Sequence, residues 1–205
     1  MNTSPVSKES DEAVDRIVIG DTARIILERK HIMPSQWDLP PEKVSQLLQA
    51  NIRLTVVCWP ASELHIQSAQ LQGTEVVHLI TIDKSVMDCA DLKLEPREHI
   101  AMFLHEIGHV VNPPPSQPAG LVLGGDPALW FVQQKRIKDD AVEQAEMMAD
   151  EYARGCGYGV AIASSLEKLV AFAPKIFDLA QVQRRVQRMK DRLSAPLQTG
   201  AETKV

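Results

Sequence analysis

The sequence has no apolar run that approaches the roughly 18 residues of a membrane span. Its first residues, MNTSPVSKES, lack the basic and apolar stretches of a secretory signal. We therefore expect a soluble, cytoplasmic protein without a membrane span. The three cysteines, Cys58, Cys89 and Cys156, are widely spaced and form no CxxC pair. This spacing suggests neither a disulfide framework nor a thiolate zinc knuckle, and it favours a reducing compartment.

Aromatic residues are also scarce, and positive charges are outnumbered by negative ones, 22 to 27. Nine aromatic side chains occur in 205 residues, so the core must be built from Leu, Ile, Val, Ala and Met. The formal net charge of -5 argues against a dedicated nucleic-acid binder. The chain has no repeat with a period of about 20 to 50 residues, which excludes solenoid folds. We expect one domain at 10–193, with flexible tails at 1–9 and 194–205.

The first half of the sequence predicts helices followed by a small sheet, and the predicted fold class is α+β. Residues 10–30 carry apolar side chains near helical spacing, with Gly20 as a weak point, and predict one long or broken helix. A shorter helix is predicted at 42–50. A small, mainly antiparallel sheet is predicted from three strands at 52–59, 64–67 and 74–83.

The second half is predicted to be mostly helical. Pro96 suits a first helical turn, and the apolar stripe that follows predicts a buried helix over 97–111. Residues 112–127 hold five prolines and three glycines, so they are predicted to be irregular. They form either an ordinary connection or a flap that closes over a substrate. From about residue 135 the chain is predicted to be helical, with interruptions at 155–159 and at Pro174.

The buried helix contains an HExxH sequence, formed by His105, Glu106 and His109. Positions i and i+4 of a helix lie on one face, so both imidazoles can reach one metal ion. Glu106 lies about 100 degrees round the helix and can touch a water on that metal. Imidazole suits zinc, and the motif therefore predicts a Zn²⁺ site with Glu106 as the general base. The alternative interpretation is a pair of ordinary helix histidines.

A later acidic segment is predicted to supply a third ligand. A catalytic zinc site needs three protein ligands and an open fourth position. In the sequence EMMADEYA, Glu146 and Asp150 share one helical face at i and i+4. This spacing predicts Glu146 as the metal ligand and Asp150 as the acceptor of the spare N–H of a ligand histidine. The alternative is that this helix merely presents a solvated acidic face.

Together these motifs resemble the gluzincin metallopeptidases, which pair HExxH with a glutamate ligand on a later helix and an aspartate four residues beyond it. The resemblance covers about residues 52–169. It extends to the soluble core of the prenyl-protein and heat-shock membrane peptidases and to the intracellular anti-repressor peptidases. It implies a zincin-like fold and a protein or peptide substrate. It also implies that 74–83 is the sheet edge that pairs with substrate, the alternative being an internal strand.

The function expected from these residues is hydrolysis of peptide bonds by a zinc-dependent endopeptidase. The alternative is a non-proteolytic regulatory or binding protein that retains the fold. A second oxyanion donor is usual, and the candidates are Tyr152, Tyr158, His78 and Arg154. His99 is expected not to be a ligand, because it lies off the face of His105. The basic residues of 184–192 predict either a solvated face or a surface for an acidic partner or nucleic acid.

Overall fold

The computed structural model describes most of the chain, in several separate ranges. The described residues are 17–49, 52–58, 65–70, 76–82, 87, 90–112, 139–172 and 179–194. Most of them are helical. The predicted tail at 1–9, nearly all of the tail at 194–205 and all but the first residue of the 112–127 loop lie outside the described residues. None of the described helices combines the length and the apolar character needed to cross a membrane.

The first described element is a strand. Ile17–Ile19 forms β1, which pairs in parallel with the later strand β2 at 54–56. The prediction of helix over 10–30 is therefore wrong at 17–19, because three consecutive β-branched residues favour a sheet pairing over a helix. Gly20 has an extended backbone (φ -66°, ψ 152°) and precedes α1, which spans Asp21–Arg29.

Two short helical elements connect α1 to the rest of the sheet. A 3₁₀ turn spans Pro34–Gln36, and α2 spans Pro41–Gln49. The indole N–H of Trp37 donates a hydrogen bond to the carbonyl of Ile32 at 2.9 Å. This bond satisfies a buried polar group and fixes the chain that returns from α1.

Four strands form one mixed sheet in the order β1-β2-β4-β3. Its later strands are β2 at Ile52–Cys58, β3 at His65–Gln70 and β4 at Val76–Ile82. β2 pairs in parallel with β1 and β4, whereas β3 pairs antiparallel with β4. The prediction of a mainly antiparallel sheet is wrong, and so is the placing of 74–83 at an edge. The apolar sequence VVHLITI favours an internal position, and the polar HIQSAQ occupies the edge.

Four longer helices form the second half of the described chain. They are α3 at Pro96–Val111, α4 at Asp139–Ala153, α5 at Gly159–Phe172 and α6 at Leu179–Ser194. α3 is the central one, because it contacts α4, α5 and β3. Its side chains are buried continuously from Glu98 to Gly108, which places the HExxH sequence inside the protein.

The predicted interruption at 155–159 is a π-helical segment, Arg154–Tyr158, between α4 and α5. Within it, Gly157 has a φ of 85°, a conformation that residues with a side chain rarely adopt.

The N-terminus of α3 is joined to α5 through the buried carboxylate of Glu98. This carboxylate accepts hydrogen bonds from Ser164 and from Lys168, the latter at 2.7 Å. These contacts hold the buried end of α3 in place.

Candidate metal centre

The two predicted motifs meet where α3 and α4 cross. A Cβ atom added to Gly108 would lie 2.7 Å from the Cα of Ala149 and 2.9 Å from its carbonyl oxygen. Only glycine allows the backbones to approach this closely. Gly108 lies within the HExxH sequence and Ala149 lies between Glu146 and Asp150. The crossing therefore brings the imidazoles of α3 against the carboxylates of α4.

Three side chains converge on one point. The Nε2 atoms of His105 and His109 are 3.2 Å apart. Glu146 straddles them, with Oε2 3.3 Å from Nε2 of His105 and Oε1 3.4 Å from Nε2 of His109. A tetrahedral zinc ion with ligand bonds of about 2.0–2.1 Å has ligand atoms roughly 3.3 Å apart. The donor set and its spacing therefore fit a zinc ion, and one ligand atom from each residue lies within 4.8 Å of the others.

Asp150 orients one of these imidazoles. Nδ1 of His105 donates a hydrogen bond to Oδ1 of Asp150 at 2.9 Å, and both side chains are buried. A proton held on Nδ1 leaves the lone pair of Nε2 directed toward Glu146 and His109. Asp150 thus selects the tautomer of His105 that a metal ion requires.

The electrostatics of the centre favour a cation. Burial alone would lower the pKa of His105, but the hydrogen bonds and charges of Asp150 and Glu146 outweigh it and raise the pKa to about 10. Burial would raise the pKa of both carboxyl groups, yet their partners hold the pKa of Glu146 well below its usual range and that of Asp150 at about 2. Both carboxylates are therefore ionised near neutral pH. A metal ion binding here must displace the proton from His105.

A fifth member of this group, Arg185 on α6, was not predicted from the sequence. Its guanidinium donates from Nε and Nη2 to the two carboxylate oxygens of Asp150, at 2.7 and 2.8 Å. Its Nη1 lies 2.7 Å from Oε2 of Glu146. Arg185 is only 7% exposed, so it does not belong to the solvated basic face that the charge run predicts.

A signal for Arg185 was present in the sequence. The buried stripe of α6 consists of Val182, Val186 and Met189, and position 185 falls on the same stripe at helical spacing. An arginine among buried apolar positions needs an acidic partner, because an unpaired buried charge is strongly destabilising. The position of Arg185 on this stripe therefore distinguishes it from its neighbours on α6.

Glu106 lies on α3 beside His105 and is 9% exposed. It is close enough to Arg185 for their charges to interact. Once His105 has released its proton, the carboxylates of Glu106, Glu146 and Asp150 and the guanidinium of Arg185 leave a formal charge of two negative units. A divalent cation would neutralise that charge, which is a second reason why the residues fit zinc.

The two tyrosines proposed as oxyanion donors serve in packing contacts. Tyr152 is 2% exposed and lies under Lys43, whose Nζ is 5.0 Å from the ring centroid. Tyr158 is also buried, with the guanidinium of Arg97 4.5 Å from its ring centroid. These cation–π contacts fix both rings through their faces.

The other two donor candidates and His99 are also described. Arg154 donates a hydrogen bond to Glu151 at 2.9 Å. His78 lies on the internal strand β4, where burial lowers its pKa to about 4, so it is neutral at pH 7. His99 is buried, with Nδ1 3.1 Å from the carbonyl oxygen of Glu95. Among the described residues, the group that fits a metal is His105, His109 and Glu146, without His99.

Comparisons with protein-family models, with curated proteins and with solved structures found no match for this chain. The interpretation of the centre therefore depends on its motifs and on its geometry.

Proposed function

We propose that the protein is a zinc-dependent endopeptidase of gluzincin type with a zincin-like fold, acting on protein or peptide substrates in the cytoplasm. The observation that carries the proposal is the convergence of two Nε2 atoms and one carboxylate at 3.2 to 3.4 Å, with Glu106 on the same helix. In the proposed site, His105, His109 and Glu146 hold the metal.

The mechanism assigns a separate task to each side chain. A bound zinc ion would supply Lewis acidity, polarising the substrate carbonyl and lowering the pKa of a water molecule. Glu106 accepts the proton of the attacking water and then delivers it to the leaving amine. Asp150 keeps the proton of His105 on Nδ1 throughout, through the 2.9 Å hydrogen bond.

The sheet offers a place for the substrate backbone. In the order β1-β2-β4-β3, the strand next to β4 at the edge is β3, and α3 contacts β3. An extended peptide can add to such an edge by main-chain hydrogen bonds. We therefore assign substrate binding to the β3 edge, in place of the 74–83 segment expected from the sequence.

Two observations favour the peptidase over the alternatives. A structural zinc site is closed by four protein ligands, whereas the group found among the described residues has three. Four of the five basic residues of α6 also have acidic partners within the chain, and the fifth, Arg188, contacts the sulfur of Met147, which disfavours a nucleic-acid surface. The pairs are Arg184 with Glu143, Arg185 with Asp150, Lys190 with Glu167 and Arg192 with Glu151.

The direct test is the cleavage of labelled casein by the zinc-loaded protein and by Glu106→Gln. Glutamine keeps the shape of the side chain but cannot accept the proton, so we expect a loss of roughly 100-fold or more with zinc retained. Glu167→Gln, a change at an exposed residue of α5, is the matched control and should cleave like the wild type. Equal cleavage by Glu106→Gln would contradict the mechanism. A wild type that binds zinc but cleaves neither casein nor a peptide library would favour the regulatory alternative.

A further inference from the structure

Arg185 on α6 contacts both a proposed ligand, Glu146, and the residue that orients another ligand, Asp150. One edge of its guanidinium faces Asp150, and Nη1 faces Glu146. The side chains of Arg185 and Asp150 are 8% and 4% exposed, and that of Glu146 is 26% exposed. Hydrogen bonds between such charged groups are strong, and in a buried site they fix the orientation of both partners.

The contact divides the two oxygens of Glu146. Nη1 of Arg185 is 2.7 Å from Oε2, which also lies 3.3 Å from Nε2 of His105, whereas Oε1 has Nε2 of His109 as its neighbour at 3.4 Å. A carboxylate whose second oxygen is held by a guanidinium is poorly placed to bind a metal through both oxygens. With a single oxygen from Glu146 and two imidazoles, three protein atoms would hold the metal and a fourth tetrahedral position would stay open.

We propose that Arg185 is a positioning residue that makes Glu146 a one-oxygen ligand through Oε1 and holds Asp150 against His105. The inference rests on the metal site of the proposed function, but it does not depend on peptidase activity. It makes α6 part of the metal centre, although no residue of α6 binds the metal itself.

The sign of the effect on metal affinity separates positioning from simple electrostatics. Arg185 is a positive charge near the site, so its removal should by itself strengthen the binding of a cation. Loss of positioning acts in the opposite direction, because groups that orient metal ligands contribute roughly 10 to 100-fold in affinity. We expect positioning to dominate, since Arg185 contacts both Glu146 and Asp150. Arg185→Met should therefore bind zinc more weakly than the wild type.

The experiment compares the full-length wild type with Arg185→Met and with Arg184→Met. Arg184 is a matched control, because it also joins α6 to α4, through Glu143 at 2.8 and 2.6 Å, but its side chain is 55% exposed. Zinc affinity is measured by competition with a chelator. Coordination is measured from the visible absorption of the cobalt(II)-loaded protein, which is stronger for four ligands than for five or six. We expect weaker zinc binding and a several-fold loss of cobalt absorption in Arg185→Met alone.

A folded Arg185→Met protein with the zinc affinity and cobalt spectrum of the wild type would overturn the proposal. If that variant does not fold, X-ray absorption and a crystal structure of the zinc-loaded wild type decide the question. We expect zinc on Oε1 of Glu146 and Arg185 on Oε2, and a Glu146 bound through both oxygens would refute the assignment. Failure of the wild type to bind either metal would overturn the proposed function as well. If Arg185→Met shows the weaker zinc binding and the lower cobalt absorption but the wild type cleaves no substrate, the role of Arg185 is supported and only the proposed peptidase activity is contradicted.

Discussion

Substitution of Gly108 by alanine tests whether the close crossing of α3 and α4 builds the metal centre. The added Cβ would lie 2.7 Å from the Cα of Ala149 and 3.0 Å from the Cβ of Tyr152. Neither atom is the end of a flexible side chain, so the helices themselves must move. Bringing the closest distance to an ordinary contact of 3.4 Å requires a separation of about 0.7 Å.

A shift of this size is large enough to break a hydrogen bond at the metal centre. If the shift falls along the His105 to Asp150 hydrogen bond, its length of 2.9 Å becomes about 3.6 Å, at which the bond is lost. Overpacking of this kind costs roughly 1 to 3 kcal/mol in the free energy of unfolding. Loss of the orienting carboxylate lowers metal affinity by roughly 10 to 100-fold. We expect Gly108→Ala to show both effects.

The assays are urea unfolding and zinc titration against a competing chelator. Gly155→Ala is a suitable control, since its added Cβ would meet only the flexible end of Lys43, at 2.9 and 3.2 Å. This control should change the stability and the zinc affinity less than Gly108→Ala does. Wild-type stability and zinc affinity in Gly108→Ala would refute the argument that this crossing sets the site.

Two further predictions concern buried carboxylates on α4 and α3. Asp150→Asn should weaken zinc binding by roughly 10 to 100-fold in a chelator competition, because the carboxylate orients His105. The control Asp191→Asn, at an exposed position, should bind zinc like the wild type. Equal zinc affinities in the two variants would show that Asp150 does not orient His105. For Glu98, burial acts to raise the pKa, but the hydrogen bonds of its partners, Lys168 among them, lower it below 4.5. Its stabilising effect is therefore complete above pH 4.5 and is lost as the pH falls through the depressed value. The stability difference between the wild type and Glu98→Gln, followed by urea unfolding, should narrow on acidification, and a constant difference would contradict the assignment.

Patterns within one stretch of sequence correctly predicted those features that depend on a single helix. The helix over 97–111 was found to within one residue, at Pro96–Val111, because its apolar stripe and Pro96 are local signals. The i and i+4 spacings of His105 with His109 and of Glu146 with Asp150 are also local. They predicted which side chains share a helical face, and the structure brings the two faces together.

The errors arose where pairing between distant segments decides the structure. Residues 17–19 fit the helical spacing of the apolar side chains over 10–30, but they also have the composition of a strand. Their parallel pairing with β2 selects the strand. β4 is internal because β3 pairs with its outer side. The sequence of β4 alone does not determine this pairing. The run of charges around Arg185 predicts a basic face, but Arg185 itself lies on the buried stripe of α6, and packing against distant helices decides which residues of α6 are buried.

The most direct test of the central claim is the zinc content of the purified wild type, of His105→Ala and of Glu146→Ala, measured by elemental analysis after exchange into metal-free buffer. A three-ligand site loses chelation when any one ligand is removed, so we expect one zinc ion per wild-type chain and almost none in either variant. Asp191→Asn, at an exposed position on α6, should retain the wild-type content. A wild type without zinc, or a Glu146→Ala variant that keeps one zinc ion per chain, would contradict the assignment of this centre.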